Sequence, residues 1–582
     1  MCGISGIIYL KNEKVQEKEI DKMNKSIKHR GPDGDGIFIN NNIGLGHVLL
    51  KIQDVTDKSK QPFMYKNWVL TYNGEIYNFK ELRKKLEKEN YKFSTSSDTE
   101  VLIKMIDFYG IDKTLKMIEG CFAFAIYNKK TEQTIIVRDR FGIKPLYYYK
   151  DNKRLIFSSE IKAILQCDNI KRIFNMEKVL VSINTKLWLD RESTLFKDIN
   201  SVLPGTYFII DKGKITKKEY YKLKFKNKYK EPSKLLEDFG KEFEKSVKKK
   251  LISQVPLAAF LSGGLDSSIV CKKLGDFSKE KLSTYTICYD FDNDIDKNHA
   301  NILAEKEKYN KHNILITEDM YNLDVIDKVT YGVEEILIDK VYIPMYFNYK
   351  AAKDDGYTVV ISGQGSDETW LGYIFTWPIF KYIGKKYNYK SLINDYYRGN
   401  MIFKDKLNID MDEKVDTVMT KYLDDNLVQD KCDEINSYGD LSLKTILHDL
   451  LSQEDKIAMM VSVESRVPFV DDHKLVEIAY NASSKLKTYD GREKYVVRRY
   501  SSGKIDDRIV DRAKYPFPEP PRIYNEVITN ICKDNWNKIK KSKIINKLIK
   551  KEKLQSIENF SELEQWWLLV YWRFETVFNM EV

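Results

Sequence analysis

The first 210 residues alternate between short runs of β-forming residues and turn residues. Apolar and aromatic runs such as ISGIIYL, WVLTYN, CFAFAIYN and TYFII are separated by Gly, Asn and Asp. This pattern is typical of antiparallel strands joined by tight turns. Residues 78–90 and 98–109 show helical periodicity instead. This part of the chain therefore predicts an α+β domain that is built on antiparallel sheets.

After the lysine-rich stretch 213–235, helical periodicity dominates and is interrupted by isolated apolar strands. These strands are VPLAAFL, LSTYTICY, HNILI and YTVVIS. Strands that alternate with helices favour a parallel, doubly wound α/β sheet, because each parallel connection needs a crossover. Residues 375–450 and the segment from Ile528 onward are predicted to be helical.

Chain length and the change of pattern together predict the domain organisation. The chain has 582 residues, which exceeds the size at which a single hydrophobic core stops growing. We predict a first domain over 1–215, a lysine-rich linker over 216–235 and a second domain over 236–582.

Composition excludes several classes of function. The formal net charge is +11, but 97 basic residues are interleaved with 86 acidic ones, so the charged surface is solvated and is not a stripe for nucleic acid. Seven scattered cysteines without a CxxC pair indicate a reducing compartment and no zinc site. The apolar run WWLLVYW is far shorter than the ~20 residues of a membrane span. We expect a cytoplasmic protein that binds neither nucleic acid nor membrane.

The string VPLAAFLSGGLDSSIV places a glycine-rich turn between an apolar strand and a helix. Unpaired backbone N–H groups and the helix dipole make such a turn a phosphate cradle, whereas the plainer interpretation is a glycine turn with Asp and Ser as caps. The string resembles the signature of the ATP pyrophosphatases, which implies adenylation of a substrate oxygen. The predicted ATP-binding residues of this loop are Leu261, Ser262, Gly263, Gly264, Asp266, Ser267 and Ser268.

A second glycine turn, VVISGQGSDETWLGY, also follows an apolar strand. It adds Ser362 and Gly363 to the predicted ATP site, to which Ile287 in the strand LSTYTICY also contributes. Because the ends of parallel strands meet at one edge of the sheet, Asp266 and Asp367 are predicted to converge as ligands of Mg²⁺, which prefers hard oxygen donors.

Together, these motifs resemble the glutamine-hydrolysing asparagine synthetase family over nearly the whole chain. The opening MCGI, then RGPDGDG, NGEIYN, SSDTE and RDRFGIKPLYY, occur in the family's order. The resemblance implies an N-terminal nucleophile sandwich, in which antiparallel sheets lie between helices, with class II glutamine amidotransferase activity. Cys2 would be the nucleophile after removal of methionine, with its own α-amine as base, because such an amine titrates near pH 8.

The resemblance also assigns the remaining site residues. Asn73 and the Gly74 amide would form the oxyanion hole, and Glu75 and Asp98 would hold the amino group of glutamine. In the second domain, Lys494 of GREKYVVRRY would neutralise the substrate carboxylate and the developing pyrophosphate. EEILIDKVYIP retains Glu335 of a family loop, and the resemblance places Glu335 among the catalytic residues of the second domain.

The sequence departs from the family pattern at two functional positions. The arginine that clamps the glutamine carboxylate is replaced by Leu49, and Lys51 would lie on the same face of a continuing strand and substitute as a point charge. Gln364 stands where the family has a glutamate linked to adenylation. An amide cannot accept a proton in the same way, so either the chemistry tolerates Gln364 or the acceptor is not aspartate.

The resemblance implies an enzyme that hydrolyses glutamine and passes ammonia to a carboxylate activated by MgATP, with release of AMP and pyrophosphate. Aspartate is the leading acceptor. Another carboxylate, such as a uronic sugar, a peptide or a specialised metabolite, and a non-catalytic regulatory homologue are the alternatives. Free ammonia is the alternative nitrogen donor, and a homodimer is possible.

Overall fold

The structure is a computed structural model. It describes residues 1–582 except 12, 186–189, 227, 291–293, 374–401, 404, 409–413, 415–416, 418–433 and 515–522. The helical prediction for residues 375–450 therefore falls largely outside the described residues. Its last part is confirmed by helices over Glu434–Lys444 and Ile446–Met459.

Two antiparallel sheets of six strands each form the first part of the chain. Their strands are β1 Gly3–Tyr9, β2 Gly34–Asn40, β3 Ile43–Leu49, β4 Phe63–Tyr65, β5 Trp68–Ile76, β6 Gly120–Asn128, β7 Gln133–Arg138, β8 Tyr147–Lys150, β9 Arg154–Ser158, β10 Ile199–Ser201, β11 Thr206–Asp211 and β12 Lys214–Glu219. The first sheet has the order β10-β8-β9-β1-β3-β2, and the second has the order β12-β11-β7-β6-β5-β4.

Helices cover the outer faces of the two sheets. They are α1 Glu17–Ser26, α2 Phe79–Lys88, α3 Asp98–Met117, α4 Ile161–Ile164 and α5 Met176–Thr185. Helix α1 contacts the first sheet, and α3 contacts the second. Between the sheets, Ile4 and Leu45 pack against Ala125 and Phe208, because inward positions recur at every second residue of a strand. The predicted sandwich of antiparallel sheets between helices is confirmed.

A parallel sheet forms the centre of the second part of the chain. Its strands are β13 Leu257–Phe260, β14 Ser283–Tyr289, β15 Asn310–Ile316, β16 Val359–Ile361 and β17 Glu464–Arg466. Their order is β15-β14-β13-β16-β17, and every pair is parallel. The four apolar runs form the first four strands, so the predicted parallel sheet is confirmed. The sequence did not predict β17, because its three residues are mostly charged.

Helices account for most of the remaining described residues. They are α6 Pro232–Lys249, α7 Leu265–Phe277, α8 Ile295–Lys306, α9 Leu323–Val333, α10 Tyr342–Asp354, α11 Ser366–Trp370, α12 Glu434–Lys444, α13 Ile446–Met459, α14 His473–Tyr480, α15 Ser484–Lys487, α16 Tyr495–Ser501, α17 Asp507–Val510, α18 Ile523–Asp534, α19 Trp536–Ile539, α20 Lys543–Leu548 and α21 Glu562–Phe578. The helical C-terminal part is confirmed.

The apolar run WWLLVYW lies inside α21, where Trp566 and Trp567 are fully buried. Among the described residues, no helix has the length and apolar character that crossing a membrane requires. The domain boundaries stay a prediction. The predicted boundary at residue 215 lies within β12, and α6 begins at Pro232 inside the predicted linker.

Candidate active site

Cys2 lies immediately before β1, in the interior of the first domain. Its backbone N–H donates to Asn73 Oδ1 at 3.0 Å, and its Sγ lies 3.9 Å from the carbonyl oxygen of Leu50. Burial raises the pKa of the Cys2 thiol to about 11, although the nearby chain amine lowers it. The thiol is therefore neutral near pH 7, and it needs an adjacent base to become a nucleophile.

Strand β5 supplies the residues that face Cys2. Asn73 is fully buried, and its Nδ2 has no hydrogen-bond partner. An unsatisfied buried N–H₂ beside a nucleophile is suited to the oxygen of a tetrahedral intermediate. The next residue must be glycine, because a Cβ on Gly74 would lie 2.3 Å from the carbonyl oxygen of Cys121. The structure thus brings together the three residues predicted for nucleophilic attack and oxyanion binding.

Two buried carboxylates lie near these residues, one at the start of α3 and one in β5. Asp98, the first residue of α3, accepts hydrogen bonds from the Tyr72 hydroxyl at 2.7 Å and the Ile76 backbone N–H at 2.9 Å. Burial raises the pKa of Asp98 to about 6 against the opposing effect of these hydrogen bonds. Glu75 is also buried and accepts a hydrogen bond from the Gln53 side chain. The pair is suited to bind an ammonium group.

The predicted substitute for the carboxylate clamp is not supported by the local structure. We predicted that Lys51 lies on the same face as Leu49, which required β3 to continue past Leu49. Strand β3 ends at Leu49, so this prediction is wrong. The Lys51 backbone N–H donates to Asp33 Oδ2 at 2.8 Å, and its Nζ lies 3.1 Å from Asp57 Oδ1. The bond to Asp33 turns the chain out of the strand, and Asp57 already neutralises the ammonium group. Leu49 itself is buried.

Arg30 joins Cys2 to the second part of the chain, a role that the sequence did not reveal. Its Nε donates to the Cys2 carbonyl oxygen at 3.1 Å. Its two terminal nitrogens lie 2.8 Å from Glu160 and 2.8 Å from Asp455 of α13. The side chain is fully buried. The only sequence signal was the position of Arg30 at the start of RGPDGDG, which does not indicate these partners.

The predicted phosphate loop connects β13 to α7. Gly263 has φ +70°, and a Cβ there would lie 2.3 Å from the carbonyl oxygen of Asp296. The Ser262 backbone N–H donates to Ser267 Oγ at 3.1 Å, while Ser268 Oγ is buried without a partner. Leu261 directly follows β13, and its N–H donates to the Tyr285 carbonyl of β14 at 2.9 Å, two residues before Ile287 in that strand. This loop has the shape and unsatisfied donors that a phosphate requires.

The two glycine loops meet at the carboxyl edge of the parallel sheet, as predicted. A Cβ on Gly363 would lie 2.7 Å from the Ser267 backbone nitrogen, so only glycine allows this approach. Ser362 is held to β17 by a hydrogen bond of 3.0 Å from its N–H to the Arg466 carbonyl. Gln364 is partly exposed at the turn, where its N–H donates to Ser362 Oγ at 3.3 Å.

Three residues from distant parts of the sequence form a charge cluster beside these loops. Lys494 Nζ lies 2.5 Å from Asp266 Oδ2 and 2.5 Å from Asp367 Oδ1. Burial acts to lower the pKa of Lys494, but the two carboxylates raise it above its ordinary value. Burial acts to raise the pKa of Asp367, but the neighbouring Lys494 and Lys514 lower it to about 2. Lys494 and Asp367 are therefore charged at neutral pH.

The cluster fits a magnesium ion. Asp266 Oδ1 is buried and receives no hydrogen bond. Within the described ranges, no group of three or more His, Cys, Asp or Glu side chains is arranged to hold a metal. Mg²⁺ needs fewer protein ligands, because it is usually bound by one or two carboxylates together with substrate phosphates.

Two further basic residues at this edge were missed from the sequence. Lys514 Nζ lies 2.8 Å from Asp367 Oδ2, and Arg512 Nη1 donates to the Gly263 carbonyl at 3.1 Å. Both belong to the segment after α17. The chain has 97 basic residues, and nothing in the sequence distinguishes these two as residues of a functional site.

Glu335 lies in a different environment. It lines a cavity between the two parts of the chain together with Lys178, His448 and Ser452. The lining of this cavity contains none of the phosphate-loop residues. Burial of the carboxylate raises the pKa of Glu335. The structure therefore does not bring Glu335 together with the cluster around Lys494, as its catalytic assignment required.

One chain thus contains a thiol site suited to release ammonia from an amide and a phosphate site suited to activate a carboxylate. This combination defines an ATP-dependent carbon–nitrogen ligase with glutamine as amide donor. The family comparisons agree. Residues 1–221 match the model described as a glutamine amidotransferase domain, and residues 238–578 match the asparagine synthase model. The chain belongs to the asparagine synthase family.

Similar proteins come from bacteria, archaea and fungi. "Asparagine synthetase [glutamine-hydrolyzing] 1" of Bacillus subtilis is 32% identical, with 92% of this chain and 90% of that protein covered. "Putative asparagine synthetase [glutamine-hydrolyzing] 2" of Methanocaldococcus jannaschii is 37% identical over 64% of this chain and 76% of that protein. "Amidase chry2" of Gibberella zeae is 25% identical over 90% of each chain.

Proposed function

We propose that this enzyme converts aspartate to asparagine, with glutamine as nitrogen donor and ATP as the source of activation. The observation that carries the proposal is the Lys494 cluster, in which one ammonium group contacts the carboxylates of both nucleotide loops. The Bacillus subtilis relative, which covers nearly the full length of this chain, is named as an asparagine synthetase.

The glutamine half-reaction follows from the contacts around Cys2. In the unprocessed chain, the Met1 amine is buried and lies 3.2 Å from Glu464 Oε2. After removal of Met1, the α-amine belongs to Cys2 and accepts the thiol proton. Sγ then attacks the amide carbon, and Asn73 Nδ2 and the Gly74 N–H stabilise the oxyanion. Transfer of the proton to the leaving nitrogen releases ammonia, and water hydrolyses the thioester to glutamate.

The synthetase half-reaction uses the phosphate loop. The backbone N–H groups of the first three residues of α7 bind the phosphates. Asp266 and Asp367 would hold Mg²⁺, which would neutralise pyrophosphate charge when bound. A carboxylate oxygen of aspartate attacks the α-phosphorus, and pyrophosphate leaves as the aspartyl-adenylate forms. Lys494 stabilises the charge that develops on the pyrophosphate. Ammonia then attacks the acyl carbon, and AMP departs.

Gln364 bears on the choice of acceptor. A carboxamide there cannot accept a proton, but Glu368 lies one helical turn further along the chain. Glu368 is buried, however, and its Oε1 accepts a hydrogen bond from the Tyr373 hydroxyl at 3.1 Å. If aspartate is the acceptor, adenylation therefore proceeds with an amide at residue 364. The alternative is an acceptor other than aspartate, which is favoured by Gln364 and by the fungal relative named as an amidase.

Product analysis tests the proposal. The purified protein is incubated with MgATP, aspartate and either glutamine or ammonium, and products are quantified by mass spectrometry. Equal yields of asparagine, AMP and pyrophosphate are expected with both donors. Glutamate release without aspartate-dependent AMP would reject aspartate as the acceptor. A panel of sugar acids and peptides would then identify the carboxylate that restores AMP formation.

A further inference from the structure

Arg466 lies where the parallel sheet meets the glutamine site. It is the last residue of β17, and its side chain is buried. Its Nε donates to Glu464 Oε1 at 2.6 Å, and its Nη1 donates at 2.7 Å to each of the carbonyl oxygens of Lys250 and Ile252. These bonds fix the guanidinium plane, so the direction of the remaining nitrogen, Nη2, is also fixed.

The remaining nitrogen faces the glutamine site of the other half of the enzyme. Arg466 Nη2 lies 3.7 Å from Glu75 Oε1, and it has no hydrogen-bond partner. Glu75 follows Asn73 and Gly74 in β5 and receives a hydrogen bond from Gln53. The geometry therefore sets the one unbonded nitrogen of a buried arginine against the carboxylate that was predicted to hold the substrate amine.

The charges around Glu75 show why this cation matters. Glu464, Asp98 and the thiol of Cys2 are the acidic groups that interact with Glu75, while Arg466 and the chain amine are the positive ones. Burial raises the pKa of Glu75 well above its ordinary value, and Glu464 raises it further. Arg466 opposes these effects, so its removal would raise the pKa of Glu75 further and weaken the attraction of this carboxylate for an ammonium group.

The absence of the carboxylate clamp increases the importance of this contact. Leu49 is an aliphatic side chain, and Lys51 is paired with Asp57. Neither offers a free cation to the α-carboxylate of glutamine. More of the affinity for glutamine must then come from the contact between its α-amine and the carboxylates of Glu75 and Asp98.

We propose that Arg466 is a positioning residue of the glutamine site, supplied by the synthetase sheet, that orients Glu75 toward the α-amine of the substrate and places a fixed cation beside its carboxylate. The inference rests on the proposed function, because it takes glutamine as the donor. The same residue holds the second nucleotide loop through the hydrogen bond from Ser362 to its carbonyl oxygen. One residue thus contacts both half-sites.

Binding measurements on an inert background test this role. Cys2→Ala protein binds glutamine without hydrolysing it, and it is titrated by calorimetry with glutamine and with glutaramate, which lacks the α-amine. Adding Arg466→Met should weaken glutamine binding about tenfold to hundredfold, the range for loss of a charge-assisted contact. Binding of glutaramate should change less than about twofold, because glutaramate has no group for Glu75.

Two further variants separate positioning from general damage to the fold. Arg498 is also a buried arginine that donates to main-chain carbonyls, but its hydrogen bonds are with Glu493, Val510 and Arg512. Arg498→Met should leave glutamine affinity unchanged, and Arg466→Lys should restore part of it. Equal weakening of glutamine and glutaramate, or no weakening of either, would overturn the proposal. Failure of the unmodified enzyme to hydrolyse glutamine would instead reject the proposed function.

Discussion

Replacement of Lys494 by methionine is the most direct test of the synthetase site. The substitution keeps the length of the side chain and removes one positive charge that lies 2.5 Å from each of two carboxylates. Asp266 and Asp367 would then face each other with Lys514 as the remaining cation in contact with Asp367. The variant therefore loses the positive charge that neutralises the two carboxylates. It also loses the positive charge that stabilises the developing pyrophosphate.

The size of the effect follows from the geometry. At 2.5 Å, with an effective dielectric constant of about 20, each attraction amounts to about 7 kcal/mol before desolvation is subtracted. Measured losses on breaking a buried pair are about 3 to 5 kcal/mol. If this loss appears in the transition state, the rate of adenylation falls about 10²- to 10⁴-fold.

Two assays on one preparation give the answer. Aspartate-dependent pyrophosphate release reports adenylation, and glutamate release in the absence of ATP reports the Cys2 site. Lys494→Met should abolish nearly all of the first activity and spare the second, while Lys485→Met, which removes an exposed lysine of α15, should spare both. Pyrophosphate release above about a tenth of the unmodified rate would refute the reasoning, as would a parallel fall in both activities.

Two other predictions concern the glutamine site. Cys2→Ala should abolish glutamine-dependent synthesis and leave ammonia-dependent synthesis within about twofold, as measured by asparagine yield with each donor; equal loss of both would contradict the division of labour. Because burial raises the pKa of Asp98 to about 6, this carboxylate is ionised above pH 6 and protonated below it. The KM for glutamine should therefore rise by up to about tenfold per pH unit below 6, whereas a KM that is constant between pH 5 and 7 would exclude Asp98 as a ligand of the amine.

The sequence predicted the parts of this enzyme that depend on local pattern. The alternation of apolar and turn residues predicted a domain built on antiparallel sheets, and the isolated apolar runs predicted four strands of the parallel sheet. The arrangement of the antiparallel sheets as a sandwich was implied by the family resemblance. Loops at the ends of those strands meet because of sheet topology alone. This is why the convergence of Asp266 and Asp367 was accessible from the sequence.

The residues that the sequence did not reveal are those whose role depends on burial. Arg30, Arg466 and Lys514 are ordinary basic residues in a chain that has 97, and only the folded structure shows that the first two are buried against carboxylates. Lys51 was misjudged for a related reason. Its assignment required a strand to continue, and the hydrogen bond to Asp33 ends the strand two residues earlier.

The position of Met1 has a consequence for when the enzyme matures. Its amine is fully buried against Glu464, and its side chain packs with Leu50, Val359 and Met459. An aminopeptidase needs an exposed chain terminus, so it cannot act once the two halves have docked. The first half leaves the ribosome before residue 464 is synthesised, and N-terminal domains fold first. If Cys2 is the nucleophile, Met1 must therefore be removed before the two halves dock, and chains that dock first would retain a blocked Cys2 amine for as long as they stay folded.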